Sequence, residues 1–312
     1  MFEISIIIPV YNSAPCLPEL NRQIEDALSD VPYEAVFIND RSRDQSWDKI
    51  IEITERNKNI TAIDLRKNSG QDNAIMAGLR QAAGRYIVIM DDDLQHSPYD
   101  IKKMHEKCVS GNYDVCFANF PEKENARWKI IGSWINGKAA EFLLSKPRDI
   151  YLSPFKIIKN AVIQEIIKYD GPYPYIDGLI LAVTDNFTQI NIAHYKRPYG
   201  KGNYNLIKSI AVFMKLATSF SVIPLRLSAF IGFISSILGF LLGCYYAVTH
   251  LTSNQNIEGW TTLVVIILFI GGLMLVSLGI IGEYLGRAYL RLNNRPQYTI
   301  KEIIKNTESV RA

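Results

Sequence analysis

The sequence predicts an α/β domain built on a mostly parallel sheet, followed by a C-terminal hairpin of two transmembrane helices. Short apolar runs rich in β-branched residues alternate with helical stretches in the first 226 residues. Such alternation is typical of a parallel sheet that is covered by helices on both faces. The segment 227–286 contains no Lys or Arg, and its only acidic residues are Glu258 and Glu283. The chain therefore divides into a charged part and a membrane part.

Five segments are predicted to be strands because each is a near-continuous apolar run. They are 4–10, 34–40, 61–66, 86–91 and 113–118. A helix is predicted after the third strand, over 71–84. Ile75, Leu79 and Ala82 share one face of this helix. Gly84 is expected to end it as a left-handed cap.

Polar side chains follow four of the predicted strands. They are Asn12, Asp40, Asn68 and the run Asp91–Asp93. The carboxyl ends of parallel strands meet at one edge, where ligands bind in such sheets, so we expect a site there. Adjacent carboxylates repel one another, and partial burial adds to the cost. The run Asp91–Asp93 therefore predicts a positive partner.

Two common nucleotide-binding motifs are absent from the sequence, and their absence limits the classes of ligand that this site could bind. The turn after the first strand has no G-x-G-x-x-G, and the chain has no G-x-x-x-x-G-K-[ST] loop, which argues against a dinucleotide and a P-loop. Acid-rich pockets suit Mg²⁺ or Mn²⁺, which share oxygen ligands with substrate phosphates. Alternate residues of an extended segment face one side. Asp91 and Asp93 are thus expected to bind one metal that carries a nucleotide diphosphate, while Asp92 hydrogen-bonds local backbone.

The membrane part is predicted to contain two spans, at about 222–249 and 260–281, each long enough for a bilayer core of about 20 residues. Arg226 lies near the start of the first span, and three arginines follow the second within 287–295. The positive-inside rule then places both chain ends and the charged domain in the cytoplasm. The alternative is a helical hairpin buried inside a globular protein. No signal peptide is expected, because the N-terminus lacks a basic region and a cleavage site.

The predicted organisation has four parts. These are a cytoplasmic catalytic domain at 1–205, a juxtamembrane amphipathic segment at 206–221, the membrane part at 222–286 and a cytoplasmic tail at 287–312. The hydrophobic content of 48% and the net charge of +3 argue against a disordered chain or a basic nucleic-acid-binding protein. The 4 cysteines form no C-x-x-C pair, which suits a reducing cytosol and does not predict a zinc site.

Several short motifs occur in a fixed order along the chain. They are SIIIPVYN (5–12), INDRSRD (38–44), KNSGQDNAIMAGL (67–79), DDDLQHSP (91–98), RPYGKGNY (197–204) and, after the spans, RPQY (295–298). Together they resemble the family 2 glycosyltransferases of GT-A fold. The resemblance is to the polyprenyl-phosphate subgroup, which includes dolichyl-phosphate mannosyltransferase and bacterial undecaprenyl-phosphate sugar transferases.

This resemblance implies an inverting glycosyltransferase in the bacterial inner membrane. It implies transfer of a sugar from a nucleotide-diphosphate sugar to undecaprenyl phosphate, with Mg²⁺ or Mn²⁺, for assembly of cell-envelope glycans such as lipopolysaccharide. A phosphate monoester is already ionised at neutral pH, so we assign no general base. No nucleic-acid partner is expected, and two spans suit a monomer or a homo-oligomer. The motifs leave open the sugar and the base, which is that of UDP, GDP or dTDP.

The resemblance also implies roles for individual residues. The nucleotide-sugar side comprises Pro9, Tyr11, Asn12, Asp40 and Asp91. The metal side comprises Asp91, Asp93 and Gln95, and the catalytic residues are Asp93 and Arg197. The acceptor side comprises Ser133, Asn136, Ser153, Lys156 and Lys201. The chain departs from the usual motifs at Arg41 and Gly202, where Gly and Ser are common, and at Pro154, where a small residue is common.

Other interpretations compete with this one. A processive polysaccharide synthase would carry Q-x-x-R-W, whereas ENARW at 124–128 begins with Glu, and two spans are too few to line a translocation path. A non-catalytic membrane partner would not need an intact D-x-D-x-Q. At single positions, Asp40 could cap the following helix or turn, Asn12 could form a turn, Gln95 could be a surface residue, and His96 could be a packing or surface residue.

Overall fold

The structure is a computed structural model that describes residues 2–121, 147, 149–193, 195, 222–252, 259–293 and 296–305. The chain forms two compact units. The first unit joins Met1–Asn205 to Asn294–Ala312, and the second is Leu206–Asn293. The predicted segment 206–221 lies outside the described residues.

The described part of the first unit contains one eight-stranded mixed sheet with the order β7-β5-β6-β4-β1-β2-β3-β8. The strands are β1 (Ile4–Val10), β2 (Tyr33–Asn39), β3 (Ile60–Leu65), β4 (Tyr86–Ile89), β5 (Val115–Asn119), β6 (Lys156–Lys159), β7 (Phe187–Asn191) and β8 (Ile300–Lys305). Strands β4, β1, β2 and β3 are parallel, while β6 and β8 run antiparallel to their neighbours. The predicted α/β fold with a mostly parallel sheet is confirmed.

Helices connect and cover these strands. They are α1 (Leu17–Ala27), α2 (Ser46–Arg56), α3 (Gln71–Leu79), α4 (Ile101–Gly111), α5 (Asn160–Ile166) and α6 (Ile176–Val183), with a 3₁₀ turn at Pro98–Asp100. Every residue of β1, β2 and β3 is buried. This burial explains why their sequences are continuous apolar runs rather than alternating ones.

The predicted end of the third helix is wrong. Helix α3 stops at Leu79, and Gly84 is not among the glycines with positive φ. Gly84 instead lies against β1, where its N–H donates to Ser5 Oγ over 2.7 Å. A Cβ at this position would lie 2.6 Å from the backbone nitrogen of Ser5, so the position needs glycine for a close approach.

The segment after the membrane helices returns to the sheet. Strand β8 pairs antiparallel with β3, and Lys301 Nζ lies 2.9 Å from the buried carboxylate of Asp64. The Gln297 amide donates to the carbonyls of Tyr169 and Gly171, over 3.0 and 2.8 Å. The predicted tail thus contributes an edge strand to the catalytic domain.

The second unit contains the two long helices α7 (Ile223–Thr252) and α8 (Trp260–Leu292). Both are long and apolar enough to cross a membrane, with mean hydropathies of 2.1 and 2.9 over their candidate spans. Neither candidate span is buried, and large side chains such as Phe240 and Leu275 are each 71% exposed. Within the described residues, this exposure argues against a hairpin buried in a globular core.

Candidate active site

The run Asp91–Asp93 follows β4 at the carboxyl edge of the sheet, as the sequence predicts. Asp91 Oδ1 accepts a hydrogen bond from Gln71 Nε2 over 2.7 Å. Asp92 Oδ2 accepts one from the backbone N–H of Tyr11 over 3.2 Å. Asp93 is buried, and its Oδ1 accepts one from the N–H of Gln95 over 3.0 Å. Asp92 thus bonds to backbone as predicted, but to the distant Tyr11 of the loop after β1 rather than to local backbone.

Burial and mutual repulsion change the acidity of this cluster. Burial, followed by the charges of Asp93 and Asp92, raises the pKa of Asp91 to about 7. Burial is also the main cause that raises the pKa of Asp92 to about 6, against hydrogen bonds from Ser13 and Tyr11. The cluster therefore holds more protons near neutral pH than isolated carboxylates would. A bound cation would favour the ionised form.

Lys156 supplies positive charge beside the cluster. It begins β6 opposite Ile89, two residues before Asp91, and its charge opposes the rise in the Asp91 pKa. Its ammonium forms an ion pair with Asp177 in the first turn of α6. The same ammonium lies 5.7 Å from the centroid of the Phe117 ring. Sequence reasoning missed Asp177, although an acid beside the apolar run GLILAV was a usable signal.

Asp40 braces the turn that precedes α3. It is 4% exposed, and its two carboxylate oxygens accept hydrogen bonds from the N–H groups of Ser69 and Gly70, over 2.6 and 2.9 Å. Burial raises its pKa, against these two hydrogen bonds. Asn68 Nδ2 donates to the Asp40 carbonyl over 3.1 Å. Asp40 thus caps the turn before α3 rather than the helix or turn that follows β2, and its contact with a nucleotide stays a prediction.

The predicted nucleotide residues of β1 differ in exposure. Pro9 is buried within the strand, whereas the Tyr11 side chain is 46% exposed at its end. Asn12 has a φ of 56°. Its Oδ1 accepts from the N–H of Arg43 over 2.7 Å, and its own N–H donates to Ser42 Oγ over 3.0 Å. The loops after β1 and β2 are thus bonded to each other.

Gln95 and His96 fix the turn after the acid cluster. Gln95 Nε2 donates to the carbonyl of Tyr195 over 3.3 Å, and the Tyr195 N–H donates back to the Gln95 carbonyl over 3.1 Å. His96 is buried and stacks between Phe120 and Phe155, with centroid distances of 5.5 and 5.2 Å. The packing interpretation of His96 is confirmed, and Gln95 connects the motif to the segment after β7.

The acceptor side is only partly described. Ser153 is fully buried, and its Oγ accepts a hydrogen bond from the N–H of Phe155 over 3.2 Å. Four predicted site residues lie outside the described residues. They are Ser133, Asn136, Arg197 and Lys201.

The residues at this edge fit a divalent cation that is shared with a ligand. The described part of the chain contains no group of three or more His, Cys, Asp or Glu suited to hold a metal alone. Magnesium sites commonly use one or two carboxylates and complete their shell with water and substrate phosphates. Asp91 and Asp93 offer hard oxygen donors, and their crowding favours a positive partner.

Comparisons with known proteins point to one family. Residues 5–167 match the model of glycosyl transferase family 2. An undecaprenyl-phosphate 4-deoxy-4-formamido-L-arabinose transferase of Pseudomonas aeruginosa (strain LESB58) is 28% identical over 98% of this chain and 91% of its own length. An uncharacterized glycosyltransferase, YkcC, of Bacillus subtilis is 32% identical over 96% of this chain and 93% of its own length.

A solved structure supports the fold. Glucosyl-3-phosphoglycerate synthase from Mycobacterium tuberculosis, in complex with Mn²⁺, UDP and glucosyl-3-phosphoglycerate, has a TM-score of 0.53 and 14% identity, over 70% of this chain and 78% of that one. This likeness shows the GT-A fold. Since the family model covers more than half of the chain, the chain is a glycosyltransferase and belongs to glycosyl transferase family 2.

Proposed function

We propose that this glycosyltransferase transfers a sugar from a nucleotide-diphosphate sugar to undecaprenyl phosphate at the cytoplasmic face of a bacterial inner membrane. The coarser part, glycosyl transfer to a polyprenyl phosphate, is supported by a relative that is named for that acceptor and matches 98% of this chain, including both long helices. A bilayer-embedded acceptor also explains why a catalytic sheet is joined to two exposed apolar helices.

The observation that carries this proposal is the acid cluster Asp91–Asp93 at the carboxyl edge, joined to the loop after β1 by the bond from Tyr11 to Asp92. That bond brings together the end of β1, where an exposed tyrosine offers a ring face to a base, and the carboxylates suited to a diphosphate-bound cation. We propose that one site therefore accommodates both ends of a nucleotide diphosphate.

The metal dependence is part of the proposal. Asp91 and Asp93 would hold Mg²⁺ or Mn²⁺, as the Mn²⁺ and UDP bound by the mycobacterial synthase suggest for this fold. When bound, the cation supplies charge neutralisation for the departing diphosphate. Gln71 orients Asp91, and the Gln95 N–H orients Asp93. These bonds hold both carboxylates before a ligand arrives, which is the preorganisation that lowers reaction barriers.

We propose that the sugar is transferred with inversion. A phosphate oxygen of the acceptor would attack the anomeric carbon from the face opposite the departing diphosphate. The acceptor phosphate is ionised at neutral pH and needs no residue to remove a proton.

The proposed topology has both helices crossing the bilayer. The chain leaves the sheet before α7 and returns to it as β8 after α8. Both ends of the hairpin must then lie on the side of the sheet, which requires an even number of crossings. Arg226 near the start of the first candidate span and Arg287 and Arg291 near the end of the second favour the cytoplasm as that side.

One experiment tests the whole proposal. Membranes that contain the protein are incubated with undecaprenyl phosphate and a panel of UDP-, GDP- and dTDP-sugars, with Mn²⁺ or with EDTA, and lipid products are identified by mass. We expect one sugar added per lipid phosphate, only with the metal. A long polymer would indicate a processive synthase, and no product from any donor would contradict the proposed reaction.

A further inference from the structure

Lys156 is in an unusual position for a lysine. It is the only Lys or Arg side chain that is buried among the residues that the structure describes. A buried ammonium is costly unless an anion pairs with it. Two sets of carboxylates surround Lys156, since Asp177 lies on α6 and the acid cluster follows the neighbouring strand β4.

In the structure, Lys156 pairs with Asp177 and not with the acid cluster. The Lys156 ammonium is hydrogen-bonded to Asp177, whose side chain is 15% exposed. Asp91, in contrast, is bonded to the neutral amide of Gln71. The buried ammonium of Lys156 is therefore paired with Asp177 rather than with Asp91.

We infer that Asp177 is a positioning residue, which pairs with Lys156 and thereby keeps this ammonium from neutralising Asp91, so that Asp91 and Asp93 stay available to a divalent cation. The inference rests on the proposed function. Without the Asp177 charge, the buried ammonium would need another anion, and Asp91 is the nearest acidic residue along the adjoining strand. An internal pair between Lys156 and Asp91 would then compete with the metal.

The test is the affinity of the purified full chain in detergent for Mn²⁺, measured by electron paramagnetic resonance with and without nucleoside diphosphates. We expect Asp177→Asn to weaken Mn²⁺ binding by roughly tenfold, the size typical of coupled sites. Adding Lys156→Met to this variant should restore the affinity, because the competing cation is gone. This double variant replaces an ion pair by neutral groups, which folded proteins commonly tolerate. Asp177→Glu should stay close to the unchanged protein.

Lys301→Met is the matched control, because Lys301 pairs with a buried carboxylate at the other end of the sheet order. It should lower the unfolding temperature and leave Mn²⁺ binding unchanged. Equal Mn²⁺ affinity in Asp177→Asn and the unchanged protein would overturn the inference but not the proposed function. A double variant that binds Mn²⁺ as weakly as Asp177→Asn would do the same. An unchanged protein that binds no Mn²⁺ under any condition would overturn the proposed metal site and, with it, the inference.

Discussion

The Asp92 carboxylate accepts a hydrogen bond from the backbone N–H of Tyr11, so the middle acid of the cluster connects the loop after β4 to the loop after β1. Its neighbours Asp91 and Asp93 are the candidate metal ligands. Because the three adjacent acids have different roles, we expect their substitution to have different effects.

Asp91→Asn and Asp93→Asn should each reduce transfer by roughly a hundredfold or more, because each removes charge from the proposed cation site. Both variants should unfold at or above the original temperature, since repulsion within the cluster is relieved. Asp92→Asn should be mild because the amide oxygen still accepts from Tyr11. Transfer rates and unfolding temperatures of the three variants, measured side by side, check this. Full activity in both Asp91→Asn and Asp93→Asn would refute the metal assignment.

The raised pKa values of Asp91, about 7, and of Asp92, about 6, predict a pH effect on stability. Between the unfolded pKa of about 4 and these folded values, the folded state binds more protons than the unfolded state. The metal-free protein should therefore lose stability as pH rises from about 4 to 7.

Thermal unfolding with EDTA and with Mn²⁺ measures this effect. Mn²⁺ should restore stability at pH 7 and should bind more weakly as pH falls, since protons compete for the same oxygens. Asp91→Asn should flatten the pH dependence. A metal-free protein whose stability rises over this window would contradict the pKa assignment.

Arg41→Gly should stabilise the protein. Arg41 has a φ of 58°, in the left-handed region that costs a residue with a Cβ about 1–2 kcal/mol. Glycine relieves this strain but also raises the entropy of the unfolded chain, which offsets part of the gain. The free energy of unfolding should therefore rise by about 0.5–1 kcal/mol. Chemical unfolding measures it. Arg43→Gly in the same loop, where φ is not positive, is the control and should show no gain.

The proposed topology is tested by cysteine labelling. Cys16, Cys108 and Cys116 are buried and Cys244 is exposed, so a protein with Cys244→Ser should show little background labelling. A cysteine at Ser253, which lies between the two predicted spans and outside the described residues, should react from the periplasmic side of intact cells. Cysteines at the exposed Lys58 and at Lys305 of β8 should react only after lysis. Reaction of the Ser253 cysteine only after lysis would mean that the hairpin does not span.

Arg197 stays a prediction, because it lies outside the described residues. The described residue nearest to it before this gap, Tyr195, is bonded to Gln95 beside the acid cluster. Arg197→Ala should cut the rate by roughly a hundredfold, and Arg197→Lys should rescue poorly because lysine lacks the planar fork. A variant that is fully active in neutral detergent would instead assign Arg197 to lipid contact.

The sequence is a good guide to this fold where burial alone decides the pattern. The apolar runs locate β1 to β3 to within about one residue, because strands covered on both faces must be apolar throughout. The polar strand ends likewise locate the edge that holds Asp40 and Asp91. The pair of Lys156 and Asp177, the approach of Gly84 to Ser5 and the pairing of β8 depend on contacts between distant segments, which no local pattern encodes.

The return of β8 to the sheet sets an order for biogenesis. Its partner β3 is made early, while the hairpin must leave the ribosome before Ile300–Lys305 can be added. Until then β3 is an open edge with an unpaired row of backbone groups, a hazard for aggregation, and the buried Asp64 lacks its ammonium partner. Synthesis of both long helices therefore precedes completion of the catalytic sheet. Under the proposed topology, the finished sheet would then form at the membrane that holds the proposed lipid acceptor.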